Sequence, residues 1–310
     1  MITNLLFILL GLILLVKGGD FLVEGAKSIA LRAKLSSMVI GLTVVGFGTS
    51  MPELLVSSQA ALAGNSGISI GNVVGSNIAN FALILGMTAL LKPCPADKKT
   101  LKIDAPVMIV ACVLLTLVGM SGTIGRISGV VGVLLLTAFI SWEIRDSRKH
   151  SQREDVQEKP KALWLSVIMV VGALVALSYG ANCLIKGASG IAQDFGVSDR
   201  IIGLTIVAVG TSLPECFASV TAARKGETDM AIGNVIGSVT FNNLFVIGTS
   251  AAICPIHDAN VGFGFDYGLM TALAVLLWIF LRTKHLLERW EGGMFLAIYV
   301  GYLVWTCWAG

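Results

Sequence analysis

Two stretches of this chain are nearly the same sequence. Residues 40–53 read IGLTVVGFGTSMPE and residues 202–215 read IGLTIVAVGTSLPE, with ten of fourteen positions identical at an offset of 162. The offset recurs downstream, where GNVVGSNIAN at 71–80 is answered by GNVIGSVTFN at 233–242. It recurs upstream as well, where Gly25-Ala26 and Ile29-Ala30 match Gly187-Ala188 and Ile191-Ala192. A single register held without a gap means that a whole structural unit is present twice.

The composition says what kind of unit. Of the 310 residues, 55% are hydrophobic and 13% charged, with a mean hydropathy of +0.84. A soluble domain carries about 25% charged residues. The balance excludes an ordinary soluble enzyme and a disordered chain, and a net charge of +3 is too small for a nucleic-acid footprint. A spanning helix needs about 20 mainly apolar residues. About ten candidates are present, at 2–24, 37–62, 70–91, 104–121, 126–144, 162–185, 201–222, 231–252, 265–281 and 292–309. The first has no basic side chain over Met1 to Asn4 and no small-residue cleavage site after it, so it reads as a retained span and not a signal peptide. The expected fold is an all-α polytopic membrane protein. Residues 1–144 form one five-helix repeat, 145–161 a charged linker, and 162–310 a second five-helix repeat. Five is odd, so the second repeat enters the membrane upside down. Inverted repeats of this kind build transporters, with the substrate site near the midplane.

Lysine and arginine placement sets orientation. Eighteen of the 22 basic residues fall in the odd-numbered loops and the central linker, and only Arg126, Lys186 and Arg200 in the even ones. The linker and odd loops are therefore expected on the cytoplasmic side and both termini outside. The 35 glycines suit close helix packing. The six cysteines are scattered without a CxxC pair and read as buried thiols.

The chemistry lies in the repeated motifs. Pro52 and Pro214 lack an N–H and clash with the carbonyl four residues back, so the turn around Gly46 to Thr49, and its counterpart, should loosen. Irregular backbone at membrane depth is tolerated where it lines a cavity, and its bare carbonyls can meet cations. Thr49, Ser50 and Glu53 share one side of a helix, as do Thr211, Ser212 and Glu215. In the following helices Asn72, Ser76 and Asn80, and then Asn234, Ser238 and Asn242, form polar stripes. Such stripes are often packing glue, and Asn72 and Asn234 fit that role as well as a ligand role. A glutamate in mid-span is costly and marks a functional site by default. Lys17, Asp20 and Glu24 lie near a helix end and read as snorkelling or local pairs. With two carboxylates, hydroxyls, amide oxygens and carbonyls, and no repeated His or Cys, the set suits a hard cation. Two glutamates match one Ca²⁺, and Na⁺ could use the same oxygens in smaller subsites.

The GTSxPE motif in both halves, with GNxxGSN in the first half and its variant GNxxGSV in the second, resembles the alpha repeats of the cation/Ca²⁺ exchanger superfamily, in its prokaryotic Na⁺/Ca²⁺ exchanger branch. The resemblance implies an electrogenic antiporter of the plasma membrane. It would work by alternating access, with the first and sixth helices sliding across the rest. It assigns Ca²⁺ to Glu53, Glu215, Thr49 and Thr211. Na⁺ goes to Gly46, Ser50, Ser76, Ala208, Ser212 and Ser238, with Asn80 and Asn242 lining the centre. Ca²⁺ and Na⁺ are then substrates, with no cofactor, no catalytic residue and no obligate protein partner. Two departures stand out. Val239 replaces the Asn found at Asn77, and Asn242 stands where the Na⁺/Ca²⁺ branch usually has Asp. Asn80 separates the chain from the K⁺-dependent branch. One titratable carboxylate fewer keeps H⁺/Ca²⁺ antiport open as the alternative. A passive channel fits less well with an inverted repeat, since channels usually place their pore on an axis between subunits or repeats, and an intramembrane enzyme fits least, since there is no nucleophile–base pair or HExxH motif.

Overall fold

The computed structural model describes residues 1–150, 160–197, 206 and 208–309. These residues are almost entirely helical, as the bilayer demands of any chain that must satisfy its own backbone. In the first half, α1 spans Ile2–Ala33, α2 Ser37–Thr49, α3 Met51–Leu62, α4 Ser66–Leu91, α5 Thr100–Met120 and α6 Arg126–His150. In the second half, α7 spans Leu163–Asp194, α8 Ala208–Thr211, α9 Leu213–Arg224, α10 Thr228–Ile253, α11 Gly264–Lys284 and α12 Arg289–Ala309. Seven of these are long and apolar enough to cross a membrane, and α2 with α3 makes an eighth, bent span. The candidate span 201–222 falls partly outside the described residues.

Two boundaries differ from the expected ones. The linker was expected from residue 145, but α6 continues to His150. Its polar end is held as helix by partners: Lys99 pairs with Glu143 and Asp146, and the backbone N–H of Ser36 donates to Ser147 at 3.1 Å. The rest of the linker, 151–159, lies outside the described residues. The second difference is at the prolines. The turn expected to loosen at 46–49 stays helical, and the chain breaks at Ser50 (φ −83°, ψ 4°) with a 44° bend. Pro52 sits in the first turn of a new helix, where its missing N–H costs nothing. The second half does the same at Ser212 (φ −90°, ψ 7°), with Pro214 opening α9.

The halves interlock. Helices α1 and α7 lie against one another so closely that a Cβ at Gly11 would stand 2.7 Å from the Gly180 carbonyl. Their buried faces, with Leu15, Leu22, Ala26, Val170, Ala173 and Leu177, form one core. Their outer faces leave Leu5, Leu6, Leu9, Trp164 and Val171 exposed, as a lipid-facing surface requires. Helix α10 is buried from Met230 through Phe241, and α2 crosses it at close range. Two short antiparallel ladders cross between halves, Cys94–Pro95 with Leu286–Leu287 and Thr123–Ile124 with Ile256–His257. Residues 94–95 and 256–257 hold the same place in the duplicated sequence, so each half lends that strand to the other.

Near the linker, Asp20 and Glu24 pair, though with residues distant in the chain and not locally. Lys225 meets Asp20 at 3.1 Å, Lys161 meets Glu24, and Lys27 meets Glu227 at 3.2 Å. Cys94, Cys112, Cys183 and Cys216 are free and buried, and Cys254 is free and half-buried.

Candidate functional site

The two helix breaks meet in the middle of the molecule. Each break ends one helix at a threonine and starts the next with a glutamate in its first turn. The ending helix turns carbonyls toward the gap, the partly negative end that a cation prefers. The starting helix turns N–H groups, which favour an ionised carboxylate. Glu53 and Glu215 are 1% and 0% exposed, and Ser50, at the break before Glu53, reaches Glu215 across the gap. Both stand over asparagine clamps. Asn72 Nδ2 donates to the Glu53 carbonyl at 3.2 Å and to Ser57 Oγ at 2.8 Å. Asn234 Nδ2 donates to the Glu215 carbonyl at 3.3 Å and to Ser219 Oγ at 2.8 Å. Tying the backbone of each glutamate to the next helix fixes where its carboxylate begins.

The oxygens around the carboxylates are spaced in a telling way. Ser50 Oγ is 3.5 Å from Glu215 Oε1, and Ser76 Oγ is 3.4 Å from Glu53 Oε1. Thr49 Oγ1 is 3.5 Å from Ser238 Oγ and 3.4 Å from both the Gly46 carbonyl and Asn234 Oδ1. Ser238 Oγ is 3.4 Å from the Gly46 carbonyl. These are long for hydroxyl hydrogen bonds, whose usual length is about 2.7–2.8 Å. Elsewhere in the same helices, Thr43, Thr88 and Thr240 bond carbonyls at 2.6, 2.7 and 2.7 Å. Oxygens held about 2.4 Å from a common cation and at right angles to one another stand about 3.4 Å apart. The spacing fits neighbours in a coordination shell better than donor–acceptor pairs.

Five buried oxygens here have no hydrogen-bond partner among the described residues: Glu53 Oε2, Glu215 Oε2, Ser212 Oγ, Asn80 Oδ1 and Asn242 Oδ1. Buried polar atoms are rarely left so, and a carboxylate oxygen least of all. Neither glutamate has an ion-pair partner among the described residues. An all-oxygen set with a formal charge of −2 and no counter-charge among the described residues can hold a hard cation.

Of the residues singled out from the sequence, Gly46, Thr49, Ser50, Glu53, Ser76, Asn80, Ser212, Glu215, Ser238 and Asn242 are all buried. Thr211 is half-buried, and Ala208 opens α8 with its side chain outside the described set. Asn72 and Asn234 act as backbone clamps, the packing role the stripe allowed. Ser57 and Ser219, which complete the clamps, were passed over although they sit in the duplicated register. Asn77 and Asn243 were also missed as partners. They bond to one another, and Asn77 also accepts from Asn242; their repeat counterparts are Val239 and Phe81, so a search for repeated polar residues skips them. Both Asn80 and Asn242 begin wide π-helical turns, Asn80–Ile84 and Asn242–Val246. Such turns favour functional positions, but no residue preference announces them.

The chain matches the family described as sodium/calcium exchanger protein over residues 3–143 and 165–308. It is 34% identical to the sodium/calcium exchanger MaX1 of Methanosarcina acetivorans, covering 98% of this chain and 99% of that one. It is 31% identical to the inner membrane protein YrbG of Escherichia coli, over 87% and 86% of the two chains. Among solved structures, the sodium-calcium exchanger NCX_Mj superposes with a TM-score of 0.86 at 33% identity, covering 98% of each chain.

Proposed function

We infer that this chain, which belongs to the sodium/calcium exchanger protein family, is a secondary antiporter that exchanges Na⁺ for Ca²⁺ and normally extrudes Ca²⁺. It is a membrane transporter and not an enzyme. One observation carries the reading of its site: two buried glutamates with no counter-charge among the described residues, ringed by oxygens at coordination spacing. In this reading Glu53, Glu215, Thr49 and Thr211 take Ca²⁺. Gly46, Ser50, Ser76, Ala208, Ser212 and Ser238 take Na⁺, and Asn80 and Asn242 line the centre. The ions share oxygens, so occupancy by one excludes the other, and that competition couples the fluxes.

The architecture in this reading is ten spans in two inverted five-helix repeats, with the boundaries 1–144 and 162–310 flanking the linker 145–161. The twin glutamate clamps and the exchange of strands between halves support it. The basic loops put the linker and the Cys94–Pro95 ladder on the cytoplasmic side of the plasma membrane, with both termini outside. On that orientation, the outer clamp is the more exposed of the two. Asn72, on the outer side of Glu53, is half-buried, whereas Asn234, its counterpart toward the cytoplasm, is 1% exposed.

The test uses proteoliposomes loaded with Na⁺ and diluted into Na⁺-free medium containing ⁴⁵Ca²⁺. Uptake above a choline-loaded control is expected. Uptake driven by a pH gradient without Na⁺, and none driven by Na⁺, moves the assignment to H⁺/Ca²⁺ antiport, because the two glutamates are then carrying protons between transport steps.

A further inference from the structure

We propose that Asn77 and Asn243, anchored on Met270, are positioning residues that turn the Asn242 amide so that its oxygen faces the transported cation. The proposal rests on the reading that Asn242 lines the cation site. A carboxylate at this position offers an oxygen whichever way it rotates. A carboxamide does not, because its nitrogen end carries only hydrogens and repels a cation. Replacing Asp by Asn therefore creates a need for orientation.

The structure meets that need with a one-way relay. Asn242 Nδ2 donates to Asn77 Oδ1 at 3.1 Å. Asn77 Nδ2 donates onward to Asn243 Oδ1 at 2.6 Å and to Met270 Sδ at 3.3 Å. Asn243 Nδ2 donates to Cys112 Sγ at 3.2 Å. The thioether decides the direction. It has no hydrogen to give, so the end of Asn77 that touches Met270 must be the nitrogen. The oxygen of Asn77 then faces Asn242 and admits only its nitrogen, which leaves Asn242 Oδ1 looking elsewhere. That atom has no partner among the described residues. Asn77 and Met270 are 0% exposed and Asn243 is 5% exposed, so bulk water does not replace a lost bond. The first half reaches the same end by a shorter route. Asn80 Nδ2 donates to the Ser76 carbonyl at 2.9 Å, an acceptor that also fixes the amide.

The experiment is a double-mutant cycle on ⁴⁵Ca²⁺ uptake in Na⁺-loaded proteoliposomes, reading the half-saturating Ca²⁺ concentration and the maximal rate separately. Asn77→Leu is expected to raise half-saturation about tenfold with the maximal rate nearly kept, the loss of one buried hydrogen bond's worth of orientation. Adding Asn242→Asp to Asn77→Leu is expected to return half-saturation to that of Asn242→Asp alone, since a carboxylate needs no orienting. Additive effects across the cycle would overturn the relay, because residues that merely pack do not care which side chain stands at 242. Met270→Leu keeps the volume and removes the acceptor. It is expected to shift half-saturation in the same direction by a smaller factor, and it carries the same cycle if Asn77→Leu does not fold. No shift in either variant overturns the relay. If Asn242→Asp and Asn242→Leu both leave half-saturation unchanged, Asn242 is not a lining residue, and the underlying reading fails separately from the cycle.

Discussion

The two halves of the site differ more than their sequences suggest. Both break a helix before a proline, set a glutamate in the first turn that follows, and clamp that glutamate's carbonyl with an asparagine at nearly the same distance, 3.2 and 3.3 Å. The duplicated motif thus supplies the same chemistry twice. The surroundings divide it. Asn234 and Thr49 are buried at 1% exposure, while Asn72 and Thr211 are half-buried. The amide of Asn80 is fixed by backbone, and that of Asn242 by side chains that have no repeat counterparts. A duplicated binding motif inside an unsymmetrical shell can open on one side at a time, which an exchanger requires.

The largest effect should come where the halves are most alike. Glu53→Gln and Glu215→Gln are each expected to abolish ⁴⁵Ca²⁺ uptake. Their melting temperatures in detergent are expected to stay level or rise, because each change removes a buried charge without a counter-charge. Calcium should also stop stabilising both variants. In the parent protein, Ca²⁺ at a hundred times its dissociation constant adds about 2.7 kcal/mol. Robust uptake by either variant would falsify the shared role.

Matching glycines should then part company. A Cβ at Gly237 would stand 2.3 Å from the Leu42 carbonyl, whereas no described atom lies within 4 Å of a Cβ at Gly75. Gly237→Ala forces backbone apart and is expected to cost about 1–3 kcal/mol or more. Gly75→Ala should be near neutral in thermal unfolding. Equal costs would mean that the halves are equally closed.

The clamps come next. Asn234→Ala removes two hydrogen bonds in a dry setting, to Ser219 Oγ and to the Glu215 carbonyl, at about 1–3 kcal/mol. Asn72→Ala, where water can reach, should cost clearly less. The comparison breaks if Asn72→Ala is the worse of the two by denaturation in detergent. Smallest of all is the surface ion pair of Lys225 with Asp20, both more than a third exposed. Lys225→Ala should change stability by under about 1 kcal/mol, and less in high salt.

Much of this was legible along the chain. A glutamate in a hydrophobic span, twice in one register and each time after TSxP, stands out because hydrocarbon penalises charge and the exception needs a cause. The buried positions of Glu53, Glu215, Thr49, Ser50 and Ser76 follow from helix periodicity around those glutamates. The prolines announced that the helix would yield but not where. Pro52 forbids one hydrogen bond and crowds the turn before it, but the residue at which the helix breaks, Ser50, is read only from the structure. The helical continuation of α6 past residue 144 has a tertiary cause. Charged residues after 144 looked like linker, but Lys99 from another helix gives Glu143 and Asp146 their partners.

By itself the sequence determined the solvent, the duplication and which oxygen-bearing side chains recur in both halves. All of these are properties of local composition and periodicity under the rule that hydrocarbon leaves no polar group unexplained. Tertiary structure alone decided the wide turns at Asn80 and Asn242, the relay from Asn242 to Met270, and which half of the site is sealed. Each depends on contacts between residues far apart in the chain. The distance between Asn77 and Met270 is set by how α4 and α11 pack, and no local pattern encodes it.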